Sequence, residues 1–169
     1  LKRATATEGK SLVQGVTNLV ADARKGRISM SDASAFEVGR NLATTPGSVV
    51  FRNQLFELLQ YDATTPRVHR RPLLIVPPCI NKYYILDLQP DNSFVRWAVA
   101  QGHTVLLMSW RNIPKELGSV TWDDYIEEAV LTAIEVVKEI SGSPTINTLG
   151  FCVGGTLLSS ALAVLAARH

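Results

Sequence analysis

An alternation of strand-like and helix-like segments in residues 72–168 is the feature that most limits what this chain can fold into. Residues 72–76, 104–109 and 145–151 each predict a strand, and a segment that predicts a helix follows each of them. Strands that alternate with helices form parallel sheets through crossover connections, and continuous apolar strands fit a sheet that is covered on both faces. The sequence therefore predicts an α/β fold, in which ligands bind at the carboxyl ends of the strands.

The segments between these strands carry ordinary helix signals. Residues 92–101 predict a helix, and a loop that contains residues 110–112 follows the second strand. Residues 121–140 predict a long helix, because their apolar positions recur with helical spacing. Thr121 and Asp124 stand at the start of this helix, where they can form a capping pair.

The residues before the alternation predict one clear helix and two short elements. Apolar residues lie on one side of 9–24, which indicates an amphipathic helix, and Gly26 is its expected end. Ser31 and Asp32 are candidate caps for a further helical turn. Two more segments follow: residues 48–52 predict a strand, and residues 54–61 predict a strand or a short helical turn.

Composition excludes several classes of protein. The 169 residues are 46% hydrophobic with a net charge of +2, and the basic residues cluster only at 67–71, so nucleic acid is a poor candidate partner. No apolar run reaches the length of a membrane span, and no secretory signal is visible. Cys79 and Cys152 are too few for a disulfide scaffold and lack metal-ligand spacing. A reducing cytoplasm is the simpler expectation.

The pentapeptide Gly150-Phe151-Cys152-Val153-Gly154 matches a nucleophile elbow in which cysteine replaces the commoner serine. Such a turn needs small residues two positions before and two after the nucleophile, since the strand and helix backbones nearly touch there. Cys152 would lie at the amino end of a helix, whose dipole and free N–H groups stabilise a thiolate. The N–H of Val153 can donate to an oxyanion.

On the pentapeptide alone, an inert core cysteine is the simpler interpretation of Cys152. The flanking strand and helix favour the elbow instead, because they are the context that the motif requires. A thiolate exchanges with an acyl thioester with little change in acyl energy, whereas a serine ester would be a poorer donor for onward transfer. The cysteine therefore favours acyl transfer over simple hydrolysis.

The second oxyanion donor of an elbow comes from the loop after an earlier strand, which is here residues 77–82. The two prolines of this loop have no N–H, and among Cys79, Ile80 and Asn81 we favour Ile80 by its position. Cys79 is better interpreted as a small buried residue than as a second catalytic thiol. Tyr83, Tyr84 and Asp87 follow, and they either line the pocket or pack in the core.

None of the three histidines is placed to act as the base for Cys152. His69 and His103 precede strands, so they belong to the amino edge of the sheet, opposite the elbow. His169 lies on the elbow helix 17 residues beyond Cys152, which is about 25 Å away. In elbow proteins an acid and then a histidine follow the nucleophile, so we expect both beyond residue 169. Both ends of the chain look cut, and we expect this fragment alone to be inactive.

The chain resembles the class I poly(3-hydroxyalkanoate) synthases, bacterial enzymes that polymerise hydroxyacyl-CoA into a storage polyester. Four stretches carry the resemblance: "AFEVGRNLATTPGSVVFRNQLFELLQY", "PLLIVPPCINKYYILDLQPDNSFVRWAVAQGHTVLLMSWRN", "TWDDYIEEAV" and "LGFCVGGTLLSSALAVLA". The resemblance implies an α/β-hydrolase fold, present here as the N-terminal half of its sheet. It implies that residues 1–33 are the tail of a helical N-terminal domain and that residues 34–169 begin the catalytic domain.

The same resemblance implies roles for individual residues. Cys152 would be the nucleophile that holds the growing chain as a thioester, and the N–H groups of Val153 and Ile80 would form the oxyanion hole. Cys79, Asn81 and Tyr83 are the candidate substrate-binding residues, and no metal or cofactor is expected. The family often has proline directly after Ser-Trp-Arg-Asn, whereas Ile113 stands there in this chain.

The expected function is an acyltransferase that polymerises (R)-3-hydroxyacyl-CoA and releases CoA. The resemblance implies that it works as a homodimer on polyester granules in the cytoplasm, with hydroxyacyl-CoA and the growing polyester as partners. Two alternatives remain at this point. One is a thioesterase or esterase of the same fold, and the other is a noncatalytic granule-associated protein.

Overall fold

The computed structural model describes residues 2–30 and 32–168, which form two compact units that divide between Glu37 and Val38. The first unit contains helices α1 (Lys2–Ala6) and α2 (Lys10–Lys25). α2 ends at Gly26, which takes a left-handed conformation with φ of 66°, so the helix predicted over 9–24 is confirmed. Asp32 caps a 3-10 turn by accepting a hydrogen bond from the Ser34 N–H, whereas Ser31 lies outside the described residues.

The second unit is built on one five-stranded mixed sheet with the strand order β1-β2-β6-β3-β7. Strand β3 pairs in parallel with both β6 and β7, while β2 pairs antiparallel with β1 and β6. The α/β class and the three parallel strands are therefore as predicted. The strands are β1 Gly47–Arg52, β2 Phe56–Tyr61, β3 Leu73–Val76, β4 Asp87–Gln89, β5 Asn92–Ser93, β6 Val105–Trp110 and β7 Asn147–Gly150; β4 and β5 form a separate hairpin.

The helices of the second unit follow the predicted order. They are α3 Phe94–Ala100, α4 Trp122–Asp124, α5 Thr132–Ser141 and α6 Val153–Arg168. A π-helical segment, Tyr125–Leu131, joins α4 to α5, so the prediction of one regular α-helix over 121–140 is wrong at its centre. Four of the seven side chains in this segment are buried: Ile126, Ala129, Val130 and Leu131. The predicted capping pair is confirmed, because the Thr121 hydroxyl and Asp124 carboxylate each accept a hydrogen bond from the other residue's backbone N–H.

Two further differences come from strand pairing. Asn92 and Ser93 belong to β5 rather than to the predicted helix, because they pair with β4; Ser93 then caps α3 by accepting from the Arg96 N–H. Trp110 belongs to β6 rather than to the predicted loop, because it pairs with Phe56 across the sheet. Its side chain is only 9% exposed, so the residue belongs to the core.

Alternate residues of β6 divide the core into two apolar clusters on the two faces of the sheet. Leu106 and Met108 belong to the first cluster, with α5, α6 and the π-helical segment. Val105 and Leu107 belong to the second cluster, with α3. None of the helices in residues 2–30 and 32–168 has the length and apolar content needed to cross a bilayer.

Candidate active site

Cys152 forms the turn between β7 and α6 with a positive φ of 55°, which a residue with a Cβ rarely adopts. On the strand side of the turn, the Phe151 N–H donates to the Val76 carbonyl of β3 at 3.0 Å. On the helix side of the turn, the Gly155 N–H donates to the Cys152 carbonyl at 2.9 Å. The Cys152 side chain is exposed at this edge of the sheet. The local geometry is that of a strained strand-to-helix turn that presents its thiol outward.

Two glycines beside Cys152 are required by backbone contacts. A Cβ on Gly150 would lie 2.5 Å from the Gly155 Cα and 2.9 Å from the Gly154 carbonyl oxygen. A Cβ on Gly154 would overlap the Val76 carbonyl oxygen and lie 2.7 Å from the carbonyl carbon of Pro77. Gly155 has ordinary space, since its nearest neighbour would be 3.4 Å away. The sequence motif and the steric requirement therefore coincide at Gly150 and Gly154.

Two backbone N–H groups remain available at the same edge. Val76 pairs with Gly150, so the loop after β3, which contains Ile80, and the turn after β7 leave the sheet side by side. Among the described residues, no hydrogen-bond acceptor is found for the N–H of Val153 or of Ile80. The Ile80 side chain is 76% exposed, so no core packing holds it. Free N–H groups next to a nucleophile are the donors that a tetrahedral oxyanion requires.

The three candidate substrate-binding residues lie in different environments. Cys79 is half-buried against the first apolar cluster, and this burial raises the pKa of its thiol. Asn81 is exposed, and its N–H donates to the Pro78 carbonyl at 3.3 Å to close the turn. Tyr83 packs against the second cluster, and burial, followed by the charge of Asp87, raises the pKa of its phenol. The structure therefore places Cys79 and Tyr83 on opposite faces of the sheet.

Asp87 packs inside the protein rather than lining a pocket, which settles one alternative that the sequence left open. It is 2% exposed and accepts hydrogen bonds from the hydroxyls of Thr45 and Ser93, each at 2.6 Å. Its carbonyl accepts from the Ala43 N–H at 2.9 Å. We call Asp87, Thr45 and Ser93 the Asp87 latch. It fixes the far end of the segment that begins with the Ile80 loop.

Trp110 was missed as a site residue by sequence reasoning. Its indole Nε1 donates to the Pro77 carbonyl at 2.7 Å, and its ring lies 5.4 Å from the ring of Tyr125. Burial, and after it the charge of the Cys79 thiol, raises the pKa of the Tyr125 phenol. Trp110 thus ties β6 to the start of the Ile80 loop. The only signal in the sequence was an aromatic residue directly after an apolar strand.

The two described histidines lie away from Cys152, as predicted. His69 and His103 stand at the amino edge of the sheet with ring centroids 4.7 Å apart. The His69 N–H donates to the Gly102 carbonyl at 2.8 Å. His169 lies outside the described residues. Within 2–30 and 32–168, no group of three or more His, Cys, Asp or Glu residues is arranged to hold a metal ion.

The fold and this edge define a mixed α/β protein with an exposed cysteine on a strand-to-helix turn beside a loop with free N–H groups. Comparison with known proteins identifies its family. Residues 1–98 match the family described as "Poly-beta-hydroxybutyrate polymerase (PhaC) N-terminus". The chain therefore belongs to the poly(3-hydroxyalkanoate) polymerase family, as the sequence blocks predicted.

Individual relatives support the same assignment. The chain is 63% identical over 160 residues to the poly(3-hydroxyalkanoate) polymerase subunit PhaC of Cupriavidus necator, covering 95% of this chain and 27% of that protein. It is 42% identical over 171 residues to the PhaC subunit of Rhizobium meliloti, covering 99% and 28%. It is 45% identical over 172 residues to a poly(3-hydroxyalkanoate) polymerase of Methylorubrum extorquens, covering 99% and 28%. The chain spans just over a quarter of the length of these relatives.

Proposed function

We propose that the complete protein containing this chain is an acyltransferase that polymerises (R)-3-hydroxyacyl-CoA into polyhydroxyalkanoate and releases CoA. The main observation in its support is the exposed Cys152 thiol on a positive-φ turn, where backbone contacts require glycine at positions 150 and 154. Membership of the polymerase family supports the choice of substrate.

In the proposed reaction, the Cys152 thiolate attacks the carbonyl carbon of the acyl-CoA thioester and forms a new C–S bond. The N–H groups of Val153 and Ile80 stabilise the negative oxygen of the tetrahedral intermediate. The intermediate collapses by breaking the bond to the CoA sulfur, which leaves as a thiolate and takes up a proton. The hydroxyl of another hydroxyacyl-CoA then gives its proton to the base and attacks the enzyme thioester, which forms an ester bond while the C–S bond to Cys152 breaks and the thiolate is released. The lengthened chain stays on that CoA and returns to Cys152 by the same exchange, so each cycle adds one ester bond and frees one CoA. The base for these proton transfers is assigned to an acid and histidine pair outside this chain.

The wider architecture is part of the same proposal. The strand order and the elbow after β7 support an α/β-hydrolase catalytic domain, of which residues 34–169 would be the first part and residues 1–33 the end of a helical N-terminal domain. Asn81 is the best-placed substrate contact, since it is exposed directly beside Ile80. Cys79 and Tyr83 each pack against an apolar cluster, so they would support the shape of the site rather than project into it. The family resemblance supports a homodimer at the granule surface in the cytoplasm.

The nucleophile is tested with the complete protein and (R)-3-hydroxybutyryl-CoA. We expect Cys152→Ala to abolish CoA release and polymer formation, while Ser159→Ala, an exposed position on α6, keeps both. We expect Cys152→Ser to lose most of the polymerisation rate, because the oxygen ester that a serine forms is a poorer acyl donor than a thioester. Polymer formation by Cys152→Ala at the parent rate would end the proposal.

Other outcomes identify the alternatives. Soluble monomeric acid as the only product, with Cys152 still required, would identify a thioesterase or esterase. Absence of both turnover and an acyl adduct on Cys152 by mass spectrometry would identify a noncatalytic protein.

The oxyanion role of Ile80 is tested by a pair of substitutions at one position. Ile80→Pro removes the N–H, and we expect kcat to fall about 100-fold, as when one oxyanion donor is lost elsewhere. Ile80→Ala keeps the N–H and removes only an exposed side chain, so the fall should be much smaller. Equal effects of the two substitutions, at equal thermal stability, would exclude the N–H as a donor.

A further inference from the structure

A cavity of about 400 Å³ opens at the edge of the sheet where Cys152 lies, several strands away from it. Arg52 at the end of β1, Phe56 and Glu57 at the start of β2, and Ser109, Trp110 and Arg111 at the end of β6 line it. β2 runs antiparallel to β6 with Phe56 opposite Trp110, so the start of β2 and the end of β6 share one edge. Because β6, β3 and β7 are parallel, this is the carboxyl edge on which Cys152 stands.

The lining carries two arginines and one carboxylate. Arg52 is exposed and forms an ion pair with Glu57 at 2.6 Å. The backbone of Arg111 is fixed by its N–H, which donates to the Leu55 carbonyl at 2.8 Å. Among residues 2–30 and 32–168, its guanidinium has one long contact of 3.5 Å, to the Gln54 carbonyl, so most of its donors are available within this part of the chain. A planar guanidinium on a fixed backbone suits a phosphate group, which it can bind through two hydrogen bonds.

A third cation lies between this cavity and the elbow. The Lys82 Nζ donates to the Asn112 side chain at 3.0 Å, so it bridges the loop after β3 and the loop after β6. β3 is the strand between β6 and β7, which places Lys82 on the side of the cavity that faces Cys152. Lys82, Arg111 and Arg52 therefore form a row of cations along the carboxyl edge. We call this row the cation row.

The length of the cation row matches the substrate of the proposed reaction. Neighbouring strands are about 4.8 Å apart, so β6, β2 and β1 lie roughly 10, 14 and 19 Å from β7. The phosphopantetheine arm of CoA has about the length of four to five extended residues between its sulfur and its first phosphate, or about 15 Å. A CoA thioester with its sulfur at Cys152 can therefore reach the arginine cavity with its phosphates.

We propose that the cavity lined by Arg52 and Arg111 binds the phosphate groups of acyl-CoA, with Lys82 contacting the diphosphate nearer to the elbow. This inference rests on the proposed function, because it takes CoA thioesters as the substrate class. Glu57 opposes it locally, since its carboxylate holds Arg52 and repels phosphate. Substitutions of Arg52 and of Glu57 should therefore change the affinity for CoA in opposite directions.

The binding experiment uses the complete protein with Cys152→Ala, so that no turnover occurs, and measures the Kd of CoA by calorimetry at low salt. We expect Arg111→Met and Arg52→Met each to weaken binding about tenfold. We expect Glu57→Gln to tighten it, because Arg52 is released to the ligand. The matched control is Arg70→Met, an exposed arginine just before β3 at the amino edge, for which we expect less than a twofold change.

A second measurement separates the nucleotide from the arm. The protein with Cys152 intact is used for this measurement. We expect Arg111→Met to raise the KM for the CoA thioester, and this rise should be about tenfold larger than the rise in KM for the matching pantetheine thioester, which lacks the nucleotide. An equal rise in both KM values, or an unchanged Kd for CoA in Arg111→Met and Arg52→Met, would overturn the site. Failure of the proposed function would give a different result, because polymerisation would then survive Cys152→Ala.

Discussion

Gly154 is the residue on which the geometry of the elbow depends most. Its Cα faces the last carbonyl of β3 so closely that any side chain would overlap the Val76 oxygen. The same contact brings the start of α6 against the end of β3, and so places Cys152 beside the Ile80 loop. A single steric requirement thus links the sequence motif to the position of Cys152.

We expect Gly154→Ala to lower the free energy of unfolding of the complete protein by about 3 kcal/mol or more, because two backbone segments must separate to admit the methyl group. Gly155→Ala is the matched control, since a Cβ there meets only ordinary contacts and alanine favours the helix. Urea unfolding of the two variants makes the comparison. Similar stability of Gly154→Ala and Gly155→Ala would show that the strand and helix are not in contact as described.

The second thiol differs from the elbow thiol in its surroundings. Cys79 is half-buried against the first apolar cluster, and burial raises its pKa because it disfavours the charged form. A thiol with a raised pKa holds less thiolate at any pH below that value, and thiolate is the form that reacts with alkylating agents.

We therefore expect the alkylation of Cys79 by iodoacetamide to reach half its maximal rate at a higher pH in the folded protein than in the protein unfolded in urea. Peptide mass spectrometry reads Cys79 separately from other thiols. The pH midpoint is the readout, because limited access lowers the rate at every pH and leaves the midpoint in place. The same midpoint in both states would contradict the effect of burial.

Among the elements, the segment from β3 to α3 shows how a loop is held at both ends. Its start is held by the Trp110 indole on the Pro77 carbonyl, and its end is held by the Asp87 latch. The Ser93 hydroxyl serves two elements, since it donates to Asp87 and accepts from the Arg96 N–H at the start of α3. Between these anchors the Ile80 side chain itself stays exposed.

We expect Asp87→Ala to lower the free energy of unfolding by about 2 to 3 kcal/mol, because the hydroxyls of Thr45 and Ser93 lose a buried acceptor. Asp91→Ala is the matched control, since Asp91 is exposed on the β4–β5 turn. Limited proteolysis should cut residues 38–46 faster in Asp87→Ala than in the parent, because Ala43 and Thr45 both depend on Asp87. Equal stability of the two variants would exclude the latch.

Sequence patterns predicted the elements whose signals are local. The three parallel strands, α2 with its glycine end and the Thr121 cap all follow from residues that are neighbours in the chain. The elbow belongs to this group, because its strand, turn and helix are contiguous. Cys152 could therefore be singled out from the amino-acid sequence alone.

The elements that the sequence did not predict depend on distant partners. Asn92 and Ser93 become a strand only by pairing with β4, and Trp110 extends β6 only because Phe56 lies opposite. The π-helical segment packs against α6, which is distant in the sequence. The positions of Cys79 and Tyr83 on opposite faces follow from a 3-10 turn, Tyr83–Leu86, that no residue pattern marks.

At the scale of the whole second unit, one sheet separates two apolar clusters that share no side chain. Successive residues of β6 point alternately to the two sides, as the pleat of a strand requires. The sheet carries Cys152 and the cation row along one edge, so the stability of both faces supports the geometry of that edge. Loss of packing on either side should destabilise the same cooperative unit.

We expect the effects of Ile134→Ala in the first cluster and Val99→Ala in the second to add. Each should lower the free energy of unfolding, by about 3 and about 2 kcal/mol, because each leaves a cavity in a fully packed face. The double variant should equal their sum within about 0.5 kcal/mol, since the sheet lies between the two sites. The matched pair Ile134→Ala and Val137→Ala, three residues apart on α5 in one cluster, should deviate from additivity. A deviation above about 1 kcal/mol for the Ile134 and Val99 pair would show that the two faces are coupled through the sheet rather than separated by it.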